Sequence, residues 1–527
     1  MTTKPQDPST DLQDKGLSRG AVGLLASIVL SVSSVAPVYA LTATLGPTVG
    51  EVGLQMPAVF LAGFLPMLLV AYAYRELNRV APDCGTSFTW TVKAFNPYIG
   101  WMCGWGAVLA TIIVLSNLAG VAVSFFYLLL GQVTGSADVA AFGDNVVVHV
   151  LTCLAFIVVA TAISYRGVTT TTRVQFVLVG FQMLVLALFS ALAIGKAVSG
   201  GAPETSLAFD PAWLDITAVP SLSAFTAGLS LSIFIYWGWD TSLTVNEETA
   251  GSARTPGRAA LLTMIIIVAT YLIVAIAAQM YAGIGTEGIG LGNPETGDNV
   301  FAALAGPVLG EGLAFLLFLA VLASSASSLQ TTFLPPARTL LAMATYRALP
   351  ARFAGVHPRF RTPSYATLAA GIATGVFYTA MVFISENVLI DTIYALGLMI
   401  CFYYGLTAYA CVWYFRRDLR RSVYPPCRLR KLRRLAIPHV RDLVFKGVLP
   451  LTGAIMLTLV FVQTAVDTMD PAYGSGSSVF GVGSVFVIGV GLLAFGLVLM
   501  LVWRVRNPEF FRGETLHRHT PSLVIDD

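Results

Sequence analysis

The sequence contains few charged residues. Only 11% of its 527 residues are Asp, Glu, Lys or Arg, whereas about 25% are charged in an ordinary soluble domain. The five histidines lie in or next to connections between apolar runs, so they form no cluster suited to metal or acid–base catalysis. A net charge of +3 offers no concentrated basic surface for nucleic acid. The composition therefore argues against a soluble enzyme and against a nucleic-acid-binding protein.

Cysteine is also scarce, and its spacing indicates neither a disulfide framework nor a metal site. Of the six cysteines, Cys84 and Cys427 lie in connections and the other four lie inside apolar segments. We interpret all six as free thiols that serve mainly as small packing residues. We therefore expect no metal and no cofactor.

Long apolar runs are what the sequence has in abundance. Hydrophobic residues make up 56% of the chain and gather in runs that reach the roughly 20 residues needed to cross a bilayer. This pattern predicts an all-α polytopic membrane protein with twelve transmembrane helices. The predicted spans are 21–45, 55–75, 98–130, 146–165, 174–199, 221–246, 259–284, 311–345, 364–385, 388–415, 447–468 and 479–503.

Positive charge is confined to one face of this predicted arrangement. Of the 31 Lys and Arg residues, 30 lie in the two tails or in the even-numbered connections, and only Lys196 lies on the opposite face. Because cytoplasmic connections retain positive charge, we expect both termini in the cytoplasm. A wrong number of spans would scatter the charges over both faces, so their distribution supports twelve.

Two segments allow a second interpretation. The first apolar run could be a cleaved signal peptide, since Lys15 and Arg19 precede it and Val38-Tyr39-Ala40 resembles a cleavage site. The run is too long for that, and its removal would invert every later connection against the charge rule, so we expect a span. The basic segment 416–446 could bind lipid, or could be a long cytoplasmic connection on an anionic leaflet.

Two predicted spans contain residues that interrupt a helix. In span 1, Pro37 follows a serine-rich stretch; it removes a backbone donor, and the serines can bond to the freed groups. In span 6, Gly238 weakens the helix within Phe234–Asp240, and Asp240 can cap the helix that follows. Each break alone could be a proline kink or an aromatic packing patch. Irregular backbone at membrane depth is tolerated only where it is buried or lines a cavity.

The two interruptions are five spans apart. An odd offset reverses the orientation of the second half, which predicts a five-plus-five inverted repeat with a binding site near the midplane. A half-helix N-terminus suits a carboxylate and freed carbonyls suit an ammonium group, so an amino acid would satisfy both. The predicted regions are a cytoplasmic tail (1–20), the two repeats (21–199 and 221–415), a basic connection (416–446), two C-terminal helices (447–503) and a second cytoplasmic tail (504–527).

Several motifs resemble those of the amino acid/polyamine/organocation (APC) permeases, in order over roughly residues 15 to 415. The resemblance implies a LeuT-like fold with broken helices 1 and 6, and alternating access for amino acids or related amines, as uptake or exchange. The motifs are Tyr74-Arg75-Glu76-Leu77, Gly85-Thr86-Ser87-Phe88-Thr89-Trp90, Asn96-Pro97-Tyr98-Ile99-Gly100-Trp101, Asn246-Glu247-Glu248-Thr249, Arg254-Thr255-Pro256-Gly257-Arg258 and Ala348-Leu349-Pro350 with His357-Pro358.

The same resemblance implies a set of substrate contacts. Broken helix 1 would bind the carboxylate mainly through its backbone, helix 6 would supply an aromatic gate at Phe234 and bind the amino group, and spans 3 and 8 would line the side-chain pocket. The implied residues are Ser33, Ser34, Val35, Ala36 and Pro37; Phe234, Tyr236, Trp237 and Gly238; Ala110, Thr111 and Leu115; and Ser328 or Thr332.

The residue expected to couple transport to a proton differs from the family pattern. Proton-coupled members carry a lysine on span 5, where this sequence has Gln182, and a glutamine does not titrate near neutral pH. Coupling could therefore use sodium, exchange or another titratable group, and Gln182 could equally be a packing residue. Asp240 could carry a coupling proton or pair with a cationic substrate. Glu76, Glu247 and Glu248 could form gate salt bridges, although solvated interface charges are the interpretation we favour.

Other function classes fit less well. An ion channel would need a selectivity element or charged rings along a pore, and a membrane enzyme would need clustered catalytic groups; the sequence shows neither. A nutrient sensor with a transporter fold, or a polyamine permease, stays an alternative. A pocket with at most one carboxylate favours neutral or weakly cationic amino acids over diamines. The excess of Arg over Lys indicates a bacterium with a GC-rich genome, and hence its inner membrane; the sequence does not set the oligomeric state.

Overall fold

The computed structural model describes residues 15–384, 387–423 and 436–522. This part of the chain is helical, as predicted, apart from one antiparallel hairpin of β1 (Ser478–Val479) and β2 (Val482–Gly483). Cys427 and much of the basic connection lie outside the described residues. The first eight helices are α1 (Leu24–Val35), α2 (Pro37–Val52), α3 (Met56–Val80), α4 (Ser87–Ala94), α5 (Pro97–Thr134), α6 (Ala137–Ala140), α7 (Val146–Tyr165) and α8 (Val168–Ser199).

The remaining helices follow in two groups. Those of the second predicted repeat are α9 (Leu222–Ile235), α10 (Thr241–Thr244), α11 (Thr255–Ala282), α12 (Val300–Leu309), α13 (Ala314–Thr331), α14 (Leu334–Thr345), α15 (Ser364–Met381) and α16 (Val388–Tyr414). Those after it are α17 (Arg416–Val423), α18 (Ala436–Leu443), α19 (Leu449–Asp467), α20 (Ser484–Phe486), α21 (Leu492–Arg506) and α22 (Pro508–Phe511).

Nine helical segments of the described chain are long and apolar enough to cross a membrane. One of them, Leu24–Val80, covers both of the first two predicted spans, whereas α9 is apolar but shorter than the others. Each of the twelve predicted segments overlaps at least one helix. The protein is therefore a helical multi-pass membrane protein, while the exact number of crossings and the inverted repeat stay predictions.

Two stretches predicted as connections contain helices. All eight residues of α4 are buried, and the Trp90 indole donates a hydrogen bond of 2.7 Å to the carbonyl of Ala81. Helix α12 lies in the connection that follows α11. A search for runs of about 20 apolar residues cannot detect helices this short. At the start of the last predicted span, residues 479–483 form the end of β1, the turn and β2 instead of a helix.

The interrupted helices lie at the centre of the bundle. Helix α1 packs against α8, α10, α11 and α13, and α2 packs against α9 and α13. Around them, α3 and α16 contact α9. This arrangement encloses the irregular backbone between helices, which is where a membrane protein can tolerate it.

Both ends of the described chain meet at one end of the bundle, which we term the terminal face. Lys15 contacts Asp83, and Ser522 donates a hydrogen bond of 2.7 Å to the carbonyl of Pro82. The C-terminal segment 508–522 also reaches Tyr346, whose carbonyl accepts a 2.6 Å hydrogen bond from the Thr515 hydroxyl. One apolar cluster joins these parts, with members Leu17, Cys84, Tyr346, Phe510 and Leu516. The C-terminal segment is therefore an integral part of this face.

A buried lysine organises the terminal face. The Lys15 ammonium lies 2.9 Å from an Asp83 oxygen and 2.6 Å from a Glu247 oxygen, and 3.5 Å from the Cys84 sulfur. The side chains of Asp83, Cys84 and Glu247 are close enough together to surround a cation. The ammonium occupies that position, so the cluster is an ion-pair site.

The pKa shifts of this cluster follow from the pairing. Burial alone would lower the pKa of Lys15, but Asp83, Cys84 and Glu247 raise it well above its usual range. Burial alone would raise the pKa of Asp83, but Lys15 lowers it. A lowered carboxyl pKa stabilises the fold above the unfolded value of about 3.9, and a raised lysine pKa stabilises it below about 10.4. The cluster therefore stabilises the fold throughout the neutral pH range.

A second buried ion pair lies beside it. A guanidinium nitrogen of Arg338 approaches Glu248 to 2.5 Å, and both side chains are at most 2% exposed. Burial raises the pKa of Glu248, and Arg338 offsets part of that shift. Glu76 is also buried, 2.7 Å from Arg75. The interpretation of Glu76, Glu247 and Glu248 as solvated interface charges is wrong, because Glu76 and Glu248 are buried, the Glu247 side chain is only 7% exposed, and all three form ion pairs.

Removing the Glu248 charge tests the second ion pair. Glu248→Gln is expected to lower the free energy of unfolding by about 3–5 kcal/mol, because Arg338 would remain buried without a counter-charge. The measurement is the apparent melting temperature of the purified protein in detergent.

Glu514→Gln is the matched control, since Glu514 pairs with Arg512 at 3.7 Å and both side chains are exposed. Its effect should stay within about 1 kcal/mol. Equal melting temperatures for the two variants would contradict the structural role of the buried pair.

Candidate functional site

The first helix break lies at Ala36, between α1 and α2. Ala36 is in the left-handed region, with φ 55° and ψ 65°, and its N–H donates to the carbonyls of Val32 and Ser33, both at 3.2 Å. Pro37 follows as the first residue of α2, where a missing N–H costs nothing and the fixed φ suits a helix start. The predicted interruption is confirmed, although Ser33, Ser34 and Val35 form the last turn of α1.

The second break lies between α9 and α10. Helix α9 ends at Ile235 and α10 begins at Thr241, and between them Gly238 has φ 104°, a conformation that only glycine adopts without strain. The Tyr271 hydroxyl donates a 2.8 Å hydrogen bond to the carbonyl of Ile235. A side chain from α11 therefore satisfies a carbonyl at the end of α9.

The two breaks touch each other. A Cβ atom on Gly238 would lie 2.9 Å from the carbonyl carbon of Ser34, so only a residue without a side chain fits there. The Ser31 hydroxyl donates to the carbonyl of Trp239 at 3.1 Å and accepts from the amide of Ser242 at 3.2 Å. Helix α1 is thus bonded directly to the irregular backbone of the other broken helix.

Hydroxyl groups from α13 and α10 bond to the first break. Ser328 donates to the carbonyl of Ser34 at 2.9 Å, and the hydroxyls of Ser34 and Thr332 lie 3.4 Å apart. Thr241 donates to the Ser34 hydroxyl at 2.8 Å. The amide of Tyr39, in the first turn of α2, donates to the hydroxyl of Ser324 at 3.3 Å. The structure therefore brings predicted Ser34, Ser328 and Thr332 together.

The aromatic residues at the second break point in different directions. The ring of Phe234 packs edge-on against Tyr39, with centroids 6.2 Å apart. The Trp237 indole donates to the Tyr403 hydroxyl of α16 at 2.5 Å. Tyr236 instead packs against Tyr271 of α11 at 5.4 Å, and against Phe64 of α3. Phe234 is thus the predicted aromatic residue that contacts α2 next to the break at Ala36.

The residues predicted from span 3 lie on α5. Ala110, Thr111 and Leu115 are buried, and Leu115 belongs to the same apolar cluster as Ala36 and Phe234. The Thr111 hydroxyl donates to the carbonyl of Ala107 in its own helix at 2.7 Å. Their assignment to a side-chain pocket stays a prediction.

The hydrogen bond that Gln182 donates does not reach the first break. Its amide donates to the Ser327 hydroxyl of α13 at 3.1 Å, which is a contact between packed helices. Gln175, two helical turns earlier on α8, accepts a 2.8 Å hydrogen bond from the Ser33 hydroxyl and donates to the carbonyl of Ser327 at 3.3 Å. The glutamine of α8 that joins the broken helix is therefore Gln175.

Asp240 occupies the N-cap position of α10, but its side chain makes no capping hydrogen bond. The prediction of a side-chain cap is wrong: Asp240 has helical φ and ψ of −77° and −5°, whereas a capping side chain requires extended backbone. The carboxyl group instead contacts Tyr404, whose ring lies 5.2 Å from that of Trp239. The carboxylate thus lies on the aromatic side of the break, against α16.

The groups that sequence reasoning missed at the site include Gln175, Tyr271 and the hydroxyls of Thr241 and Ser324. Gln175 had a detectable signal, because it lies seven residues before Gln182 and hence on the same helix face. The serine-rich run of α13, which includes Ser324 and Ser328, is a second signal, since apolar spans seldom carry so many hydroxyls. Tyr271 had none, since one tyrosine in a long apolar helix is unremarkable.

Comparison with known proteins gives consistent results. The sequence model of the family described as amino acid permease matches residues 22–512. An uncharacterised transporter of Mycobacterium tuberculosis is 26% identical over 376 residues, which is 70% of this chain and 75% of that protein. The low-affinity putrescine importer PlaP of Escherichia coli K12 is 24% identical over 336 residues, covering 62% of this chain and 68% of the importer.

A solved structure with a similar fold is that of MhsT in complex with L-phenylalanine. It superimposes with a TM-score of 0.59 and 16% identity over 83% of this chain and 98% of MhsT, which supports the LeuT-like fold. With a family match over residues 22–512, a multi-pass helical architecture and paired helix breaks at its centre, this chain belongs to the amino acid permease family and is a membrane transporter of the APC superfamily, not an enzyme.

Proposed function

We propose that the protein is a secondary active transporter that moves neutral or weakly cationic amino acids, by uptake or exchange, through alternating access. The single observation that carries this proposal is the direct contact between the two helix breaks. Their backbone groups are close together and are bonded mainly by small hydroxyl groups, which a substrate with a carboxylate and an ammonium group can replace.

The carboxylate would bind at the start of α2. The first backbone amides of α2 lie just after Ala36 and Pro37. One of them, the amide of Tyr39, donates to the Ser324 hydroxyl at 3.3 Å, which is long for a hydrogen bond. An anion gains both from these amides and from the positive end of the helix dipole. Exchange of a hydroxyl for a carboxylate oxygen would strengthen the hydrogen bond, because one partner becomes charged.

The ammonium group would bind at the end of α9 and at the first break. The carbonyl of Ser34 accepts from Ser328, and the carbonyl of Ile235 accepts from Tyr271, so both oxygens are accessible to small donors. Phe234 lies over this region against Tyr39 and suits the role of an aromatic lid. Substrate contacts are therefore proposed for Ser33–Pro37, Phe234, Trp237, Gly238, Ser328 and Thr332.

Alternating access requires the terminal face to open. In the present conformation Lys15 joins Asp83 to Glu247, Arg338 pairs with Glu248, and the C-terminal segment packs across the same face. We propose that these contacts form the cytoplasmic gate and part when substrate is released. The one-sided distribution of Lys and Arg supports a cytoplasmic assignment of this face, and the bacterial relatives support an inner-membrane location.

Two features bear on substrate and coupling. Asp240 is the only acidic residue in the two broken stretches 33–39 and 234–241, so the breaks themselves offer a diamine one anionic partner and not two. The putrescine importer among the relatives keeps an amine permease as the second candidate. Neither Gln175 nor Gln182 can titrate, which favours sodium or exchange over a lysine-based proton mechanism. Asp240 is the candidate for a coupling proton.

Competition uptake tests the proposed substrate class. Proteoliposomes that contain the purified protein are expected to accumulate a labelled neutral amino acid, with unlabelled neutral amino acids displacing it and putrescine displacing it at least tenfold less effectively. The dependence of uptake on an imposed sodium or pH gradient identifies the coupling ion. Displacement by putrescine but not by amino acids would overturn the proposal, and binding without accumulation would indicate a sensor.

The close approach of the two breaks gives a second prediction. Gly238→Val is expected to abolish uptake, because its Cβ atom would collide with the backbone of Ser34 and because a β-branched residue is strained at φ 104°. Uptake should fall at least tenfold while the protein still inserts in the membrane, as judged by its yield in purified form.

The control is Gly180→Val on α8, where nothing lies within 4 Å of an added Cβ atom. It should retain uptake within about twofold, the range expected of a surface substitution. If Gly238→Val transported as well as this control, the contact between the breaks would have no role in transport.

A further inference from the structure

A wide apolar groove runs along the outside of the bundle between α7 and α15. Its volume is about 730 Å³, and its walls include Leu154, Val158, Ile372, Val376 and Phe383. Several of these side chains face outward, Phe383 being 84% exposed. Exposed apolar side chains at membrane depth contact lipid, so hydrocarbon is the natural content of this groove.

Small residues on α15 set the depth of the groove. A Cβ atom on Gly371 would lie 2.4 Å from the Thr161 hydroxyl, and one on Gly375 would lie 3.1 Å from Leu154. The helices therefore meet closely along one line, and the larger side chains on either side form the walls. From Leu368 to Phe383 the groove extends roughly 22 Å at 1.5 Å per residue, more than the roughly 15 Å of one leaflet's hydrocarbon.

A folded connection lies at the end of the groove that meets the terminal face. The Thr362 hydroxyl donates to the carbonyl of Tyr165, the last residue of α7, at 2.8 Å. His357 and Thr362 close the connection with a backbone hydrogen bond of 2.8 Å, and the Arg361 amide donates to the carbonyl of His357 at 2.8 Å. Phe360 packs on His357, with ring centroids 4.7 Å apart. The connection is thus held firmly against the end of α7.

This end of the groove is strongly basic. Arg166, Arg359 and Arg361 are exposed, and within the described ranges none of the three forms an ion pair with a carboxylate. The sequence has no Asp or Glu between Asn145 and Pro203, or between Gly312 and Ser385. The three guanidinium groups therefore face the interface without a nearby acidic side chain on the elements that form the groove.

We propose that this groove is a binding site for an anionic phospholipid of the leaflet at the terminal face. One acyl chain lies between α7 and α15, and the phosphate lies against Arg166, Arg359 and Arg361. Guanidinium groups bind phosphate oxygens in bidentate fashion, and basic pockets between helices bind anionic head groups. The apolar groove distinguishes a lipid from free phosphate, which would gain nothing from Val158 or Ile372.

The location of the site links it to the transport core. Helix α7 packs against α5 and α13, and α15 packs against α5 and α14; α13 carries the Ser328 hydroxyl that bonds to the first break. A lipid seated between α7 and α15 would therefore contact two helices that pack against α5, the first of which also packs against α13, without touching the proposed substrate contacts themselves.

The test compares lipid retention by the full chain in native mass spectrometry after exposure to phosphatidylglycerol or phosphatidylcholine. The triple variant Arg166→Gln, Arg359→Gln, Arg361→Gln should retain at least tenfold less phosphatidylglycerol than the unsubstituted protein. The control Arg254→Gln, Arg506→Gln, Arg512→Gln removes the same charge from exposed positions elsewhere and should retain it fully. Equal retention by the two triple variants would overturn the head-group site.

A groove variant tests the acyl chain separately. Ala162 lines the groove and is exposed, so Ala162→Phe fills the groove without disturbing the core, and it should reduce the retention of both lipids. Millimolar inorganic phosphate should not displace bound phosphatidylglycerol. Unchanged retention in Ala162→Phe, or displacement by phosphate alone, would refute a lipid site and indicate surface charge or a phosphate site.

Discussion

Every backbone amide and carbonyl inside a membrane must find a hydrogen-bond partner within the protein, and this requirement shapes the centre of the molecule. Two helices end at Val35 and Ile235, and both breaks free peptide groups far from bulk water. Side-chain hydroxyl groups satisfy these carbonyls: Ser328 donates to the carbonyl of Ser34, Ser31 to that of Trp239, and Tyr271 to that of Ile235. These hydroxyls hold the two breaks together, and in the proposed function a substrate replaces part of these hydrogen bonds.

The same requirement explains the polar content of helices that would otherwise be uniformly apolar. Helix α13 contributes Ser324 and Ser328, and α8 contributes Gln175, which bonds to both Ser33 and the Ser327 carbonyl. Glycine completes the arrangement, because at Gly238 any side chain would strike the backbone of Ser34. Polar residues and a single glycine thus allow the two breaks to approach within van der Waals contact.

In the described part of the chain, the buried ion pairs lie at the terminal face and not at the helix breaks. Lys15 lies among Asp83, Cys84 and Glu247, and Arg338 pairs with Glu248; these residues lie at the terminal face, and all except the partly exposed Glu247 are buried. Buried ion pairs add little net stability compared with apolar packing, but losing one partner is costly. They therefore suit contacts that must form in one conformation and part in another, which is the role proposed for this face.

The membrane-embedded helical class, the position of both helix breaks and the family could all be predicted from the sequence, because apolar run length, proline, glycine and short motifs are local signals. Which polar groups meet depends on the tertiary structure. It placed Gln175 against Ser33, packed Tyr236 against Tyr271, left Asp240 without a capping role, and put Glu247 and the buried Glu248 in ion pairs. These outcomes depend on how helices distant in sequence pack together, and no local pattern encodes that contact.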